Sequence, residues 1–491
     1  MKRYVTYIWI GILGLTVACK NQKISENMAA DGTAVQDSIK PAPVNIGEAL
    51  LQQLDTLEGM IPESKLSEYL YAADMMRKVY AENDWNPYWL EENGTLNTKG
   101  KACLEILKAS KQFGLEQKYY SVANIDSVVK LAGNEKPTPA TLGALELSLT
   151  NSLSLLALHL KEGIIDTSGL LRSEFSQAEN ELLPWLKKAL KSNSLLKELQ
   201  SLEPQHMHYQ ALSKSLATLK EVKNVLPAGF SIRDHKKDSA GCAADVIQAL
   251  RYQGYLNDSV AINHELYINT LKAFQKKNGL TNDGVPGVNT RTLLMTDNAE
   301  RYRRAALNMD KWRRVAHNLP KEYIFVNIPG YEAYVVNSDT LVETHRVVVG
   351  KPANKTPEII SRINIVVINP DWSVPYSIIK NEMRGKSHSY LSKYNIYQNG
   401  ERVSPGNIRW GQNIRMVQPP GANNALGYIK FLFPNSHSVY LHDTPSRSLF
   451  SNSVRAYSHG CVRVQNPLDL GIYLLRRDSI AMTMDSMQAL I

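Results

Sequence analysis

The stretch from Tyr440 to Val464, YLHDTPSRSLFSNSVRAYSHGCVRV, constrains the fold of this chain most sharply. A strand-like run, Ser438-Val439-Tyr440-Leu441, delivers His442. A loop rich in Ser, Pro and Arg follows, and the stretch closes on Tyr457-Ser458-His459-Gly460-Cys461-Val462-Arg463. Cys461 is a candidate nucleophile, because a thiolate attacks carbonyls well once a base or positive surroundings lower its pKa. Gly460 permits a tight turn that can aim backbone N–H groups at a developing oxyanion. Arg463 offers a rigid fork for a carboxylate.

Cys461 lies 19 positions after His442. Two neighbouring antiparallel strands joined by a loop of that size can set imidazole and sulfur face to face. His459 is two positions from Cys461, so on an extended chain it points the same way and is a second candidate base. The bland alternative is a buried structural cysteine with two surface histidines, since free cysteine is among the most buried residue types.

The stretch resembles the signature of the L,D-transpeptidases with the YkuD catalytic fold: a histidine, a gap of about fifteen residues, then Ser/Thr-His-Gly-Cys, a hydrophobic residue, and Asn or Arg. Here His442 is followed by fifteen residues and then by Ser458, His459, Gly460, Cys461, Val462 and Arg463. The resemblance implies that His442 rather than His459 is the general base. It implies that the backbone carbonyl of Asp443, not its carboxylate, orients the imidazole. It implies attack by Cys461 after the third residue of a peptidoglycan tetrapeptide stem, with release of D-alanine. The N–H groups of Gly460 and Cys461 would form the oxyanion hole, and Ser458, His459 and Arg463 would bind substrate. An amine of a second stem would then give a 3→3 cross-link, and water would give an L,D-carboxypeptidase. No metal or organic cofactor is implied. A lipid-anchored wall-binding module without catalysis is the remaining alternative.

The N-terminus reads as a targeting segment over residues 1–19. Lys2 and Arg3 precede a short apolar run from Val5 to Val17, and Thr16-Val17-Ala18-Cys19 is similar to a lipobox with Cys19 as the lipidated residue. This sends the body of the chain to the cell envelope, on the periplasmic face, with the membrane as one partner. Residues 20–45 read as a polar tether. With Cys19 and Cys461 assigned, only Cys103 and Cys242 remain, which allows one disulfide and no disulfide framework. The formal charge of +9 suits an anionic envelope polymer. No aromatic–basic motif accompanies it, so nucleic acid is not expected as a partner; other wall-synthesis enzymes are.

The fold class is multidomain α+β. From residue 46 to 230, apolar residues recur at helical spacing, as in Leu142-Leu145-Leu149 and Leu153-Leu156-Leu160. This region resembles the helical scaffold of the large YcbB-like L,D-transpeptidases. Its Trp85-Asn86-Pro87-Tyr88-Trp89 turn plugs between helices or lines a sugar groove. His206 and His208 lack further ligands nearby for a metal site. Residues 240–297 resemble a three-helix peptidoglycan-binding domain, marked by Phe274-Gln275 leading to Gly279-Leu280 and by the Asp283-Gly284-Val285-Pro286-Gly287 turn. Residues 298–320 read as a solvated connector helix. Short Val/Ile/Tyr-rich runs from 321 to 491 predict the β-rich catalytic domain, for which the resemblance implies a mixed β-sandwich. Within it the strand rhythm lapses over about 376–420, which reads as a lid insert. After Arg463 the large subgroup continues through a helix and further strands. Here a helix over Asn466–Arg476 is followed by few residues before Ile491, so an exposed sheet edge is expected.

Overall fold

The longest helix, Pro139–Glu162, starts where its sequence says it should. Thr138 caps it by accepting the Thr141 N–H at 3.2 Å, and Pro139 occupies the first turn, where no N–H is needed. It is apolar and long enough to cross a membrane, yet Leu149, Leu153, Leu156 and Leu160 are fully buried within the protein. Around it pack Ile46–Met60, Thr98–Lys108, Val122–Asn134 and Glu179–Lys191, forming the largest core. The computed structural model describes residues 46–60, 72–134, 137–165, 179–219, 226–227, 229–316, 319–411 and 413–491. The targeting segment, Cys19 and the tether lie outside the described residues.

The aromatic turn is a plug. Trp89 is buried, its indole N–H donates to Thr150 Oγ1 at 2.8 Å, and the backbone N–H groups of Tyr88 and Trp89 donate to the buried carboxyl of Glu146. Trp89 therefore offers no face to a sugar. Cys103 and Cys242 are both free and buried, in separate cores, so no disulfide joins them.

Three helices, Ser239–Tyr252, His264–Lys277 and Val288–Leu294, enclose a small core of Val246, Leu250, Leu271 and Phe274. Asp238 and Asn263 cap the first two by accepting the N–H groups of Gly241 and Leu266. Gln275 holds the following turn: it accepts the Gly284 N–H at 2.8 Å and donates to Asp283 at 2.9 Å.

The helix Asn298–Ala316 is not solvated all round. Met309 and Arg313 are fully buried and Trp312 nearly so, because this face packs on the helix Met207–Thr218. His206 stacks on Trp312 with ring centroids 4.1 Å apart and meets the Tyr323 hydroxyl through Nε2. The two histidines are thus part of an aromatic joint.

The C-terminal domain contributes β1 (Glu322–Asn327), β2 (Glu332–Asn337), β3 (Thr340–Gly350), β4 (Ile365–Ile368), β5 (Trp372–Ser373), β6 (Asn395–Gln398), β7 (Glu401–Val403), β8 (Ile414–Gln418), β9 (Ile429–Leu432), β10 (Leu441–His442), β11 (Ala456–Ser458) and β12 (Val462–Val464). One mixed sheet runs β1-β2-β3-β12-β10-β9-β4, with β11 pairing alongside β3. Its apolar face, including Val335, Val347, Phe431, Leu441, Val462 and Val464, packs on Leu470 and Ile472 of the helix Pro467–Arg477. The helix Met484–Gln488 adds the fully buried Met487, and Asn369 donates to the carbonyl of Ile491 at 2.9 Å. β4 ends the sheet, and Ile365 on it is exposed.

The stretch where strand rhythm lapses is itself a folded unit. β5, β8, β6 and β7 form a second, four-stranded sheet. Its inward residues Ile396, Ile414 and Met416 share a core with Ile379 and Met383 from the π-helical turn Ile379–Met383. The insert has a hydrophobic centre of its own, which an irregular loop lacks.

Candidate active site

The site is built on β10 and β12, which run parallel, with Leu441 opposite Val462 and His442 opposite Arg463. The sequence reading expects antiparallel strands. The difference comes from the segment between them, which turns through Arg447–Ser451, pairs β11 parallel to β3, and so returns β12 in the direction of β10. Arg455 secures this crossover, donating to the carbonyls of Val347, Asn452 and Tyr331. Leu441 and Val462 face the core. Alternation therefore puts Tyr440, His442, Cys461 and Arg463 together on the opposite face. Cys461 lies next to Tyr440, whose carbonyl accepts the Val462 N–H at 3.1 Å. His442 is then its diagonal neighbour, about 7–8 Å away at the backbone.

His442 is buried, and its Nδ1 lies 2.5 Å from the Asp443 carbonyl oxygen. A carbonyl only accepts, so Nδ1 carries the proton and Nε2 the lone pair. The Asp443 carboxylate is turned elsewhere. It accepts the Tyr428 N–H at 2.9 Å and meets Arg447 at 2.8 Å. A Cβ at Gly427, where φ is +60°, would overlap it.

Around the sulfur the chain bends sharply. Gly460 has φ +125°, a value side chains rarely adopt. Its N–H donates to Ser458 Oγ at 3.1 Å, Ser458 Oγ donates to the Cys461 carbonyl at 2.5 Å, and Thr356 Oγ1 donates to the Gly460 carbonyl at 2.7 Å. Among the described residues the Cys461 thiol has its hydrogen bond with the Ser438 carbonyl, at 3.8 Å, rather than with His442. Burial pushes the thiol pKa up, while Tyr440 and the positive Arg463 pull it down.

His459, two residues before Cys461, is exposed. Its Nε2 meets Glu382 Oε1 of the insert at 2.5 Å. Arg463 faces the site, largely desolvated, and its Nε has no hydrogen-bond partner among the described residues.

Sequence reasoning misses Tyr440, Trp372 and Glu382. The Tyr440 ring packs edge-on against His442 at 5.6 Å, and its hydroxyl faces both Cys461 and the indole of Trp372. The signal was available for Tyr440, since strand alternation puts it on the face of His442. Trp372 and Glu382 come from the insert, whose docking no local pattern encodes. Among the described residues no group of three or more His, Cys, Asp or Glu side chains is placed to hold a metal ion.

Comparison with known proteins gives this site a family. Residues 321–479 match the L,D-transpeptidase catalytic domain, YkuD, and residues 74–216 match a Scaffold domain. The chain therefore carries a YkuD-type L,D-transpeptidase catalytic domain behind a helical Scaffold domain. Over 163 residues it is 36% identical to a putative L,D-transpeptidase of Haemophilus influenzae. That stretch is 31% of this chain and 33% of the relative, so the chain spans about a third of the relative's length.

Proposed function

We propose that this chain is a peptidoglycan L,D-transpeptidase that forms 3→3 cross-links through a thioester on Cys461. The observation that carries the reading is a buried His442 whose Nδ1 lies against the Asp443 carbonyl and which shares a sheet face with Cys461 one strand away. Attack requires the thiol to exchange the Ser438 carbonyl for the His442 imidazole as its hydrogen-bond partner. His442 takes the thiol proton as sulfur attacks the carbonyl of the third stem residue. The oxyanion is met by the N–H groups of Cys461 and Gly460, the latter leaving Ser458 Oγ. As the tetrahedral intermediate collapses, the C–N bond breaks and the imidazolium protonates the departing D-alanine amine. A side-chain amine of a second stem attacks the thioester, gives its proton to His442, and that proton returns to the sulfur. Arg463, desolvated and short of a partner at Nε, holds a donor carboxylate. His459 and Ser458 complete the substrate contacts.

The large YcbB-like architecture, lipidation at Cys19 and an envelope location belong to the same reading. The three-helix unit supplies wall binding, and other wall-synthesis enzymes act alongside.

Mass spectrometry after incubation with a carbapenem tests the nucleophile: an adduct on Cys461 is expected, and none in Cys461→Ala. His442→Ala should slow acylation by roughly 10²-fold or more, and His459→Ala far less. Equal losses in the two histidine variants would overturn the choice of base. Purified tetrapeptide muropeptides should yield dimers; tripeptides alone would make the protein a carboxypeptidase, and no reaction a wall-binding module.

A further inference from the structure

Between Trp372 and Gln418 the insert carries seven Lys and Arg against two Glu. Its small sheet arranges part of that charge. Arg402 on β7, Tyr397 on β6 and Arg415 on β8 stand opposite one another in a single register row. Ile396 and Met416 point into the insert's core, so alternation turns this row outward, and both arginines are exposed. The guanidiniums are held in place. Arg415 lies over the Tyr397 ring at 5.4 Å from its centroid, and Arg402 donates to Asn395 Oδ1 at 2.9 Å. Among the described residues neither meets a carboxylate. A second constellation on the insert has the same chemistry: Lys386 and Lys393 flank the Tyr390 ring at 5.5 and 5.4 Å.

We propose that the outward face of this small sheet docks polymeric peptidoglycan through the carboxylates of its stem peptides, as a second contact apart from the reacting groove. Its two arginines sit on strands either side of β6, two strand spacings or about 10 Å apart at the backbone. One small carboxylate fills one guanidinium fork. Two fixed forks at that separation suit a polymer that presents carboxylates in succession. The core of the insert separates this face from the turn that carries Glu382 and meets His459, so a strand held here is not the stem being cut. The choice of carboxylates over phosphates rests on the function proposed above, whose substrate carries them.

The test is co-sedimentation of the full-length protein with purified sacculi at low salt and at about 0.15 M salt. The variant is Arg402→Gln with Arg415→Gln, and the charge-matched control is Arg303→Gln with Arg304→Gln on the helix Asn298–Ala316. The docking variant should bind about tenfold more weakly, with a shallower salt dependence, and the control within about twofold of the parent. On sacculi whose carboxylates have been amidated, parent and docking variant should bind alike. Carbapenem acylation of Cys461 should be unchanged in the docking variant. Unchanged pelleting, or an equal loss in the control, overturns the proposal. So does a loss of binding to inorganic polyphosphate with pelleting intact, which would assign the face to a phosphate polymer. Pelleting needs no turnover, so arginine-dependent binding by a protein that never forms the carbapenem adduct would sink the enzymatic reading and leave this face standing.

Discussion

Burial sets the protonation of the reacting pair. Loss of water around His442, helped by the positive Arg463, lowers its pKa from 6.5 to about 3. Burial moves the Cys461 thiol the other way, above its ordinary 9.0. The resting pair is therefore a neutral thiol beside a neutral imidazole, not a thiolate–imidazolium ion pair. The base is lost only when His442 gains a proton, so the acid limb of the acylation rate lies near pH 3. Carbapenem acylation should be nearly flat from about pH 5 to 8. A limb centred in the ordinary imidazole range would mean that His442 is solvated. Linkage adds a stability effect of the same sign. The folded pKa lies below the unfolded one, so this stability is held above pH 6.5 and lost as pH falls towards 3, at up to about 1.4 kcal/mol per unit. Glu146 has the opposite sign. Burial raises its carboxyl from 4.5 to about 7, so its contribution is full below pH 4.5 and fades as pH rises through 7.

At the scale of elements, the insert meets the motif at Trp372, beside the Tyr440 hydroxyl, and at one exposed ion pair, Glu382 with His459. Such pairs are worth about 1 kcal/mol at most, so the contact biases the insert without locking it. Glu382→Gln and His459→Ala should each change acylation by less than about fivefold, and the double variant should change it no more than the larger single. Full additivity in that cycle would mean that the two side chains act separately. The strands β1, β2 and β3 were legible because each has a Val/Ile/Tyr-containing run of six residues or more, whereas β10 and β12 are as short as two and three residues and were legible through the motif they carry. The pairing of β10 with β12 was legible only as adjacency. Direction depends on the route of the crossover, which Arg455 fixes through carbonyls far away in sequence. The second sheet was hidden because β5, β6 and β7 run for only two to four residues, too few for a period-2 signal. The bend at Gly460 was foreseeable from the glycine, but the partner of His459, Glu382, comes from the insert and was not.

For the whole molecule, the decisive question is whether the scaffold and the catalytic sheet unfold as one. The helix Asn298–Ala316 joins them on two sides. Arg313 donates to the Phe113 carbonyl at 2.6 Å and to the Tyr209 hydroxyl at 2.8 Å within the scaffold. Trp312 faces both ways, stacking on His206 and meeting Phe325 of β1 at 5.0 Å between centroids. The sequence pattern suggests a solvated connector because basic residues occupy most turns; it does not reveal that Arg313 is buried by carbonyl and hydroxyl partners. Removing the indole opens a cavity at the joint, at a cost of about 3–5 kcal/mol. That loss falls on the coupling between domains rather than on either core, since Leu156 and Val347 lie in separate clusters that keep their own packing. Trp312→Ala should therefore split a single calorimetric transition into two, with the lower one shifted down by several degrees. At 25 °C, where both domains stay folded, carbapenem acylation of Cys461 should be unchanged. A single transition at the parent's temperature would mean that the joint contributes nothing to cooperativity, and that the scaffold acts on the catalytic domain only as a tethered neighbour.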